Sequence, residues 1–577
     1  MNKHWRAGMW MLSMAIFFGL SSVGWAANYY VDFDNGNDAN DGLSQQTAWK
    51  NIPGTMNQDS TGRVSNNSGW VKLGSGDILR IKSGTIHDSS DGGRILIDSS
   101  YYTSGTSAAP ITIQRDPNWG SGQIIIDGTG ITVPNWQALF DIHGIDYLFL
   151  DGSVQNGIKI QNSAYNGFET TGNHNEVRNI EVFNSIWANI LFTSPNYPSV
   201  YLDGAVIENA VAHRTNSNDD WAANIYLNYV DNGLVSHSTA YDANLGADGI
   251  HLGSCKNSWV VNCTTYSNGE QGIDISRDGD YKMRDDSYQI TVRDCLSYNN
   301  YKMNFDTNSA SHDIYFIRNV GWKTTISECC DGNFMTYEAG DRTLYINDTS
   351  SSGRDWGYGF AWGAYYNLGP GSYKQYVINS VSSGDGGRSV NVETDDSSRS
   401  YDVQFYNSNL HSQDSSNNAA NVKGQSYTGF DINNSTNGWP GIACKSADPR
   451  FVSSGPTWPQ TDLRLRKDSP NIDAGAFPFT TSSAGNGAVV QLNRLVSDLD
   501  ARRIFRPGDT IQIESAGAYI VNSVDSAALL TLTATASWGA GKGVWFPWQG
   551  AGPDIGAYEY QGTSEPVPSP PKNMRIQ

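Results

Sequence analysis

Val235-Ser236-His237-Ser238-Thr239-Ala240-Tyr241, Val260-Val261-Asn262-Cys263-Thr264-Thr265-Tyr266 and Val292-Arg293-Asp294-Cys295-Leu296-Ser297-Tyr298 are three copies of one seven-residue pattern. Each opens on an aliphatic residue and closes on an aromatic one. The pattern extends to Val177 to Phe183 and Ile207 to His213 on one side and Phe316 to Trp322 on the other, and the six copies start 24 to 32 residues apart. That is a solenoid period. Leu344 to Asn347 and Val377 to Ser380 continue it. A second apolar segment follows each copy, as in Ala188-Asn189-Ile190, Ala223-Asn224-Ile225, Asp248-Gly249-Ile250, Gln271-Gly272-Ile273 and Met303-Asn304-Phe305. The expectation is at least two strands per repeat. Such short strands cannot bury an apolar face within one repeat, but parallel stacking of successive coils about 4.8 Å apart does so. The pattern therefore predicts an all-β chain, a right-handed parallel β-helix (solenoid). Cys263 and Cys295 share one repeat position, which predicts interior packing.

Composition agrees and narrows the function. The chain has 60 Gly and only 17% charged residues, which suits tight turns better than long amphipathic helices. Lys plus Arg number 38 against 58 Asp plus Glu, a formal charge of −20. That excludes a phosphate-binding surface and therefore nucleic acid, and makes a cation the natural partner. The six cysteines, Cys255, Cys263, Cys295, Cys329, Cys330 and Cys444, lack the paired spacing of a zinc site and are too dispersed for a disulfide scaffold.

The ends carry other signals. Residues 1–26 combine a basic start with the short apolar run Met9 to Leu20 and small residues Gly24 and Ala26, the form of a signal peptide, so the expectation is secretion or display at the cell surface. No other run is long enough to span a bilayer. Residues 27–100 read as an N-terminal cap and first coils, and its Asp32, Asp34, Asn37, Asp38, Asn40 and Asp41 as turn chemistry. Residues 101–475 read as the helix and 476–552 as a small inserted β module with alternating runs such as Asp509-Thr510-Ile511-Gln512-Ile513. Residues 553–560 read as a closing motif and 561–577 as a Pro-rich tail.

Tyr29-Tyr30-Val31-Asp32 with its Asn/Asp/Gly turn, the strand Ala109-Pro110-Ile111-Thr112-Ile113, and the closing Ile472-Asp473-Ala474-Gly475 and Asp554-Ile555-Gly556-Ala557-Tyr558-Glu559-Tyr560 resemble secreted bacterial proteins of the pectin-lyase-like β-helix superfamily. That resemblance implies the fold and leaves the activity open, because one scaffold carries many chemistries.

The densest acidic constellation spans three coils: Asp248 to His251, Glu270 to Asp274, and Asn304 to Asp306. Aligning the inward Ile250, Ile273 and Phe305 puts His251, Asp274 and Asp306 in an outward ladder. Carboxylates about 5 Å apart repel unless they share a proton or a cation, and oxygen ligands suit calcium. The block is similar to the calcium-binding coils of family 9 polysaccharide lyases, in which an Ala-Asp-Gly turn precedes Asp-Asp-Gly-aromatic-Asp by one coil. Asp248 matches the first motif, and Glu270, Gln271 and Asp274 fall on the acidic positions of the second. The resemblance implies Ca2+ held by Asp248, Glu270 and Asp274. It also implies a catalytic Lys where this chain has Asp306, which leaves the proton-abstracting group among Lys282, Arg277, Lys302 and His251.

Three functions follow. A calcium-dependent polysaccharide lyase would cleave a uronate-containing polymer by β-elimination. A glycoside hydrolase would use paired carboxylates of the same coils, Asp274 with Asp306 or Asp248. A non-catalytic surface protein would hold acidic or neutral glycans on aromatic residues such as Trp356, Tyr358, Phe360, Trp362, Tyr365 and Tyr366, which serve equally well as packing under a loop.

Overall fold

The computed structural model describes residues 26–562 except 197, 218–220, 278–286, 309–310, 324–331, 338–340, 353–357, 365–370, 385–387, 395–398, 413–417 and 455–460. The leader through residue 25, the tail from 563, Lys282, Cys329, Cys330, Trp356, Tyr365 and Tyr366 lie outside the described residues.

Three sheets of 14, 13 and 12 strands run the length of the solenoid, parallel throughout except for the antiparallel last pair of the 13-stranded sheet. One coil shows the plan: Trp259–Val261 in the 14-stranded sheet, Thr264–Tyr266 in the 12-stranded sheet and Ile273–Ser276 in the 13-stranded sheet. Each coil thus carries three strands, and the seven-residue pattern is two of them. They are broken at the pattern's third residue, where Asn179, Asn209, His237, Asn262, Asp294 and Arg318 have φ between 50° and 59°. Asn and Asp enter that left-handed region at the least cost after glycine, so the corner is written in the sequence as Asn or Asp at four of these six sites. Parallel strand-to-strand crossovers of this kind are right-handed.

Inward positions stack coil on coil. Ile250, Ile273, Phe305, Phe334 and Phe360 are fully buried, with ring centroids 4.6 Å apart for Phe305 and Phe334 and 5.1 Å for Phe334 and Phe360. Phe360 and Trp362 therefore belong to the core, which corrects their reading as a sugar platform; Tyr358 packs beside Met303, Met335 and Ala361. Cys263 and Cys295 are buried neighbours, the Cys263 backbone N–H donating to Cys295 Sγ at 3.4 Å. The four described cysteines are all free thiols.

The closing aromatics of the pattern form an outer ladder. Phe183, His213, Tyr241, Tyr266, Tyr298 and Trp322 follow one another at 4.6 to 5.1 Å with planes within 8°. Leu463, Phe451, Ala557 and Tyr558 cover its C-terminal end.

Gly441 and Ile442 pair in parallel with Phe405 and Tyr406, Lys445 bridges in parallel to Asn409, and an antiparallel hairpin of Phe451–Ser454 and Thr461–Leu465 follows. Six antiparallel strands from Phe479–Thr481 to Gly543–Trp545 close into a small barrel. It docks on the outer face of the 14-stranded sheet against Tyr315, Ile317, Leu344, Ile346, Tyr376 and Ile378, and Arg293 grips Asp509 through two nitrogens at 2.6 and 2.8 Å. The closing motif returns to the coils, where Gly556 N–H donates to Asn379 O at 2.7 Å.

At the other end Asn28–Val31 pairs with Ile78–Ser83 as the first strand of the 14-stranded sheet. Asp38 accepts from the Asn51 backbone and side chain and from the Trp70 indole, and Asp32 pairs with Lys82 at 2.7 Å. Among the described residues no helix is long and apolar enough to cross a membrane.

Phe334 sits between two stacked rings and has no room to be replaced by water. Phe334→Ala should lower stability by about 3–5 kcal/mol, read as a shift of the urea midpoint. Asn262→Gly, at a left-handed corner, should cost far less.

Candidate functional site

The barrel covers the outer face of the 14-stranded sheet and the C-terminal segment part of the 12-stranded one, and the acidic coils lie on the 13-stranded sheet. Its register pairs Ile250 with Ile273 and Phe305, and hence His251 with Asp274 and Asp306. The expected ladder is present. Alternation sends these three side chains outward, yet they are enclosed: Asp248 and His251 are 1% exposed, Asp274 3% and Asp306 fully buried. Glu270 and Gln271, at the entrance to the Asp274 strand, are buried as well.

His251 lies between two carboxylates. Its Nδ1 is 3.0 Å from Asp248 Oδ2, and its Nε2 is 3.5 Å from Asp274 Oδ2 and 2.8 Å from Ser276 Oγ. The Gln271 backbone N–H donates to Asp248 Oδ1 at 2.9 Å. Asn308 spans the next step, its amide nitrogen donating to Asp274 Oδ1 at 3.2 Å and to Asp306 Oδ2 at 3.1 Å. Lys302 forms an ion pair with Glu270. Potential ligand atoms of Asp248, His251 and Asp274 all lie within 4.8 Å of one another.

Burial dominates the electrostatics. It pushes the Asp248 carboxyl well above the ordinary carboxylate range, with the Glu270 charge adding to the effect. Asp274 is pushed well above by the same burial, against which His251 pulls down. Asp306 is pushed up to about 7 by burial, more than offsetting the bond from Asn308. Removing a charge from water without a full partner favours its protonated form.

Of the residues expected from sequence, the fold thus gathers Asp248, Glu270, Asp274, Asp306, His251 and Lys302 in one cluster. Arg277 is buried directly after the Asp274 strand, and Lys282 lies outside the described residues. Sequence reading missed a second group on the same face, Arg94, Asp141 and Glu169 beside Trp136 and Trp187. The signal was available. Asp141 and Glu169 follow the inward Phe140 and Phe168 as Asp274 follows Ile273, but these coils precede the first recognised repeat at Val177.

No family model matches the sequence, and no curated protein matches it. Among solved structures, a pectate lyase, Pel9A, aligns over 92% of this chain and 96% of its own at 16% identity, with a TM-score of 0.44. A rhamnogalacturonan lyase aligns over 77% and 97% at 14% identity and a TM-score of 0.36. An alginate lyase from Paenibacillus sp. str. FPU-7 aligns over 48% and 87% at 15% identity and a TM-score of 0.33. With TM-scores below 0.5, these likenesses carry no argument, and the fold rests on the strand register.

The Asp306 carboxyl titrates near 7 folded and near 3.8 when exposed. Between those values the folded chain holds a proton that the unfolded chain has lost, so stability falls as pH rises from about 4 to about 7. In chelator, the melting temperature should fall across that window, and Asp306→Asn should flatten the fall by removing a contribution on the order of 2–4 kcal/mol. A slope unchanged in the Asn variant would remove Asp306 as its source.

Proposed function

We propose that this chain is a secreted, polysaccharide-acting enzyme, a cation-dependent lyase that cleaves a uronate-containing polymer by β-elimination. One observation carries the reading: four carboxylates, Asp248, Glu270, Asp274 and Asp306, crowd three coils where Lys302 and His251 are the basic groups in contact. Four carboxylates outnumber these two basic groups, and like charges crowded in a buried site repel. An added cation or added protons relieve that repulsion.

The donor set fits a hard cation such as calcium. It is rich in oxygen, and two of its buried oxygens, Asp306 Oδ1 and Gln271 Oε1, have no hydrogen-bond partner among the described residues. Asp248, Glu270 and Asp274 would hold the ion, with Asp306 beside them. A bound cation neutralises a uronate carboxylate and so acidifies the proton on the adjacent carbon.

The chain's own groups then divide the remaining work. Lys302 keeps its side chain 32% exposed at the rim of the cluster, where a polymer lying on the sheet reaches it. We assign it, in its neutral amine form, the removal of that proton. His251, enclosed between Asp248 and Asp274, positions those two carboxylates. Asn308 does the same for Asp274 and Asp306. This division leaves Arg277 as a flanking charge.

The test is incubation with pectate and alginate in calcium or chelator, following ultraviolet absorbance of unsaturated uronate ends. Absorbance should rise only with calcium. Asp274→Ala should lower the rate at least 100-fold, and Lys302→Met should lower kcat by a similar factor while leaving the calcium dependence of thermal stability in place. No absorbance change on either polymer, from protein that melts cooperatively, would rule the lyase reading out.

A further inference from the structure

The first coils of the same sheet hold a second group of acids in a cleft of about 590 Å³. Strands Ile95–Ile97, Ala138–Ile142 and Asn166–Thr170 bring Leu96, Asp141 and Glu169 into register on the outer face. Four register steps, through Glu169, Leu191 and Tyr226, separate Asp141 from His251. At about 4.8 Å per step, roughly 19 Å lies between them. The two acid groups share no carboxylate.

The floor of the cleft is close to neutral. Arg94 Nη1 donates to Asp141 Oδ2 at 2.8 Å, and the two side chains are each 6% exposed. Asn166 donates to Glu169 Oε2 at 2.9 Å. Burial, then the Asp141 charge, push the Glu169 carboxyl up to about 8, so it keeps its proton at neutral pH. Arg94 and Asp141 cancel, and Glu169 is a neutral acid.

The cleft also holds unmet hydrogen-bonding capacity. Arg94 Nε, Gln137 Oε1 and Asn228 Oδ1 line it, are buried, and have no partner among the described residues. Arg94 is 5% and Asn228 8% exposed. With the Trp187 indole N–H, which likewise lacks a partner among the described residues, two stranded donors and two stranded acceptors suit hydroxyl groups, which donate and accept alike. Above them Trp136, 64% exposed, meets Trp187 at 5.3 Å and 71°. These offer flat apolar faces beside the polar floor. An uncharged, hydroxyl-rich ring with an apolar face fits every feature; a uronate carboxylate would lie against Asp141.

We propose that this cleft is a second carbohydrate site, in which a neutral sugar ring rests on Trp136 and Trp187 while Glu169 and Asp141 hydrolyse its glycosidic bond. Register partners on adjacent strands have backbones about 5 Å apart, a spacing that suits the carboxyl separation of retaining hydrolases. Glu169 gives its proton to the glycosidic oxygen as the bond from that oxygen to the anomeric carbon breaks, and an Asp141 oxygen bonds that carbon. A water molecule then displaces Asp141, and its proton returns to Glu169. One water is consumed per bond cut. Burial pushes the Asp141 carboxyl up, and Arg94 and His143 pull it back toward the ionised form that the attack needs. No cation takes part, so the site works independently of the Asp274 cluster.

The experiment incubates the full chain with xylan, galactan, mannan and mixed-linkage glucan in chelator, following reducing ends and ultraviolet absorbance together. Reducing ends should appear without absorbance. Glu169→Gln should lower kcat at least 1,000-fold and abolish the alkaline limb of the pH profile, while Trp136→Ala, at the exposed ring, should raise KM about tenfold. Both variants should keep the wild-type melting profile and any calcium-dependent absorbance on pectate or alginate. No reducing ends on any of the four polymers from folded wild-type protein would overturn the proposal, as would release that Glu169→Gln leaves unchanged.

Discussion

Constant register between parallel coils is the constraint on which the rest of this structure depends. With strands about 4.8 Å apart, every side chain faces its counterpart one coil away, so whatever a repeat position holds is presented as a ladder. The energy of the ladder depends on the group. Stacked rings from Phe183 to Trp322 gain by it. Carboxylates lose, and His251, Asp274 and Asp306 lie in a ladder where like charges adjoin, as they do at Asp141 and Glu169 on the first coils. A position that resists its own fold is where an added cation or proton has most to contribute.

Amides make the opposite case, because each can donate and accept. Asn189 donates to Asn224, Asn224 to Asn268, Asn268 to Asn300, Asn300 to Asn304 and Asn304 to Asn333, at 2.6 to 3.0 Å throughout. This buried chain runs along the corner leading into the 13-stranded sheet, directly before the acidic ladder. It satisfies groups that would otherwise be costly to bury and fixes the strand entries from which Asp248, Asp274 and Asp306 project. The rigidity of the acidic cluster is therefore borrowed from its neutral neighbour.

The division of faces follows from what each outer ladder offers a covering segment. Aliphatic and aromatic positions Tyr315, Leu344, Tyr376 and their neighbours gave the barrel an apolar seat, fastened by Arg293 to Asp509. The aromatic ladder took the C-terminal hairpin. Acids at Asp141, Glu169, Asp274 and Asp306 offer no such seat, and the 13-stranded face carries both candidate sites.

The sequence by itself determined the solenoid, because a period of 24 to 32 residues with inward apolar positions admits few other ways to bury them. It also determined the His251, Asp274 and Asp306 ladder, since alternation along a strand is local and aligning Ile250, Ile273 and Phe305 suffices. What it did not show is that Asn179 or Asn262 turns a corner inside an apparent single strand; the left-handed conformation is favoured by Asn but imposed by the closing coil. Only the tertiary structure decided how deeply the acids are buried, that Phe360 and Trp362 face inward, and that Trp136 and Trp187, 51 positions apart in the chain, meet over Asp141 and Glu169. Burial and convergence depend on what loops and neighbouring coils place over a residue, and those distances have no trace in local pattern.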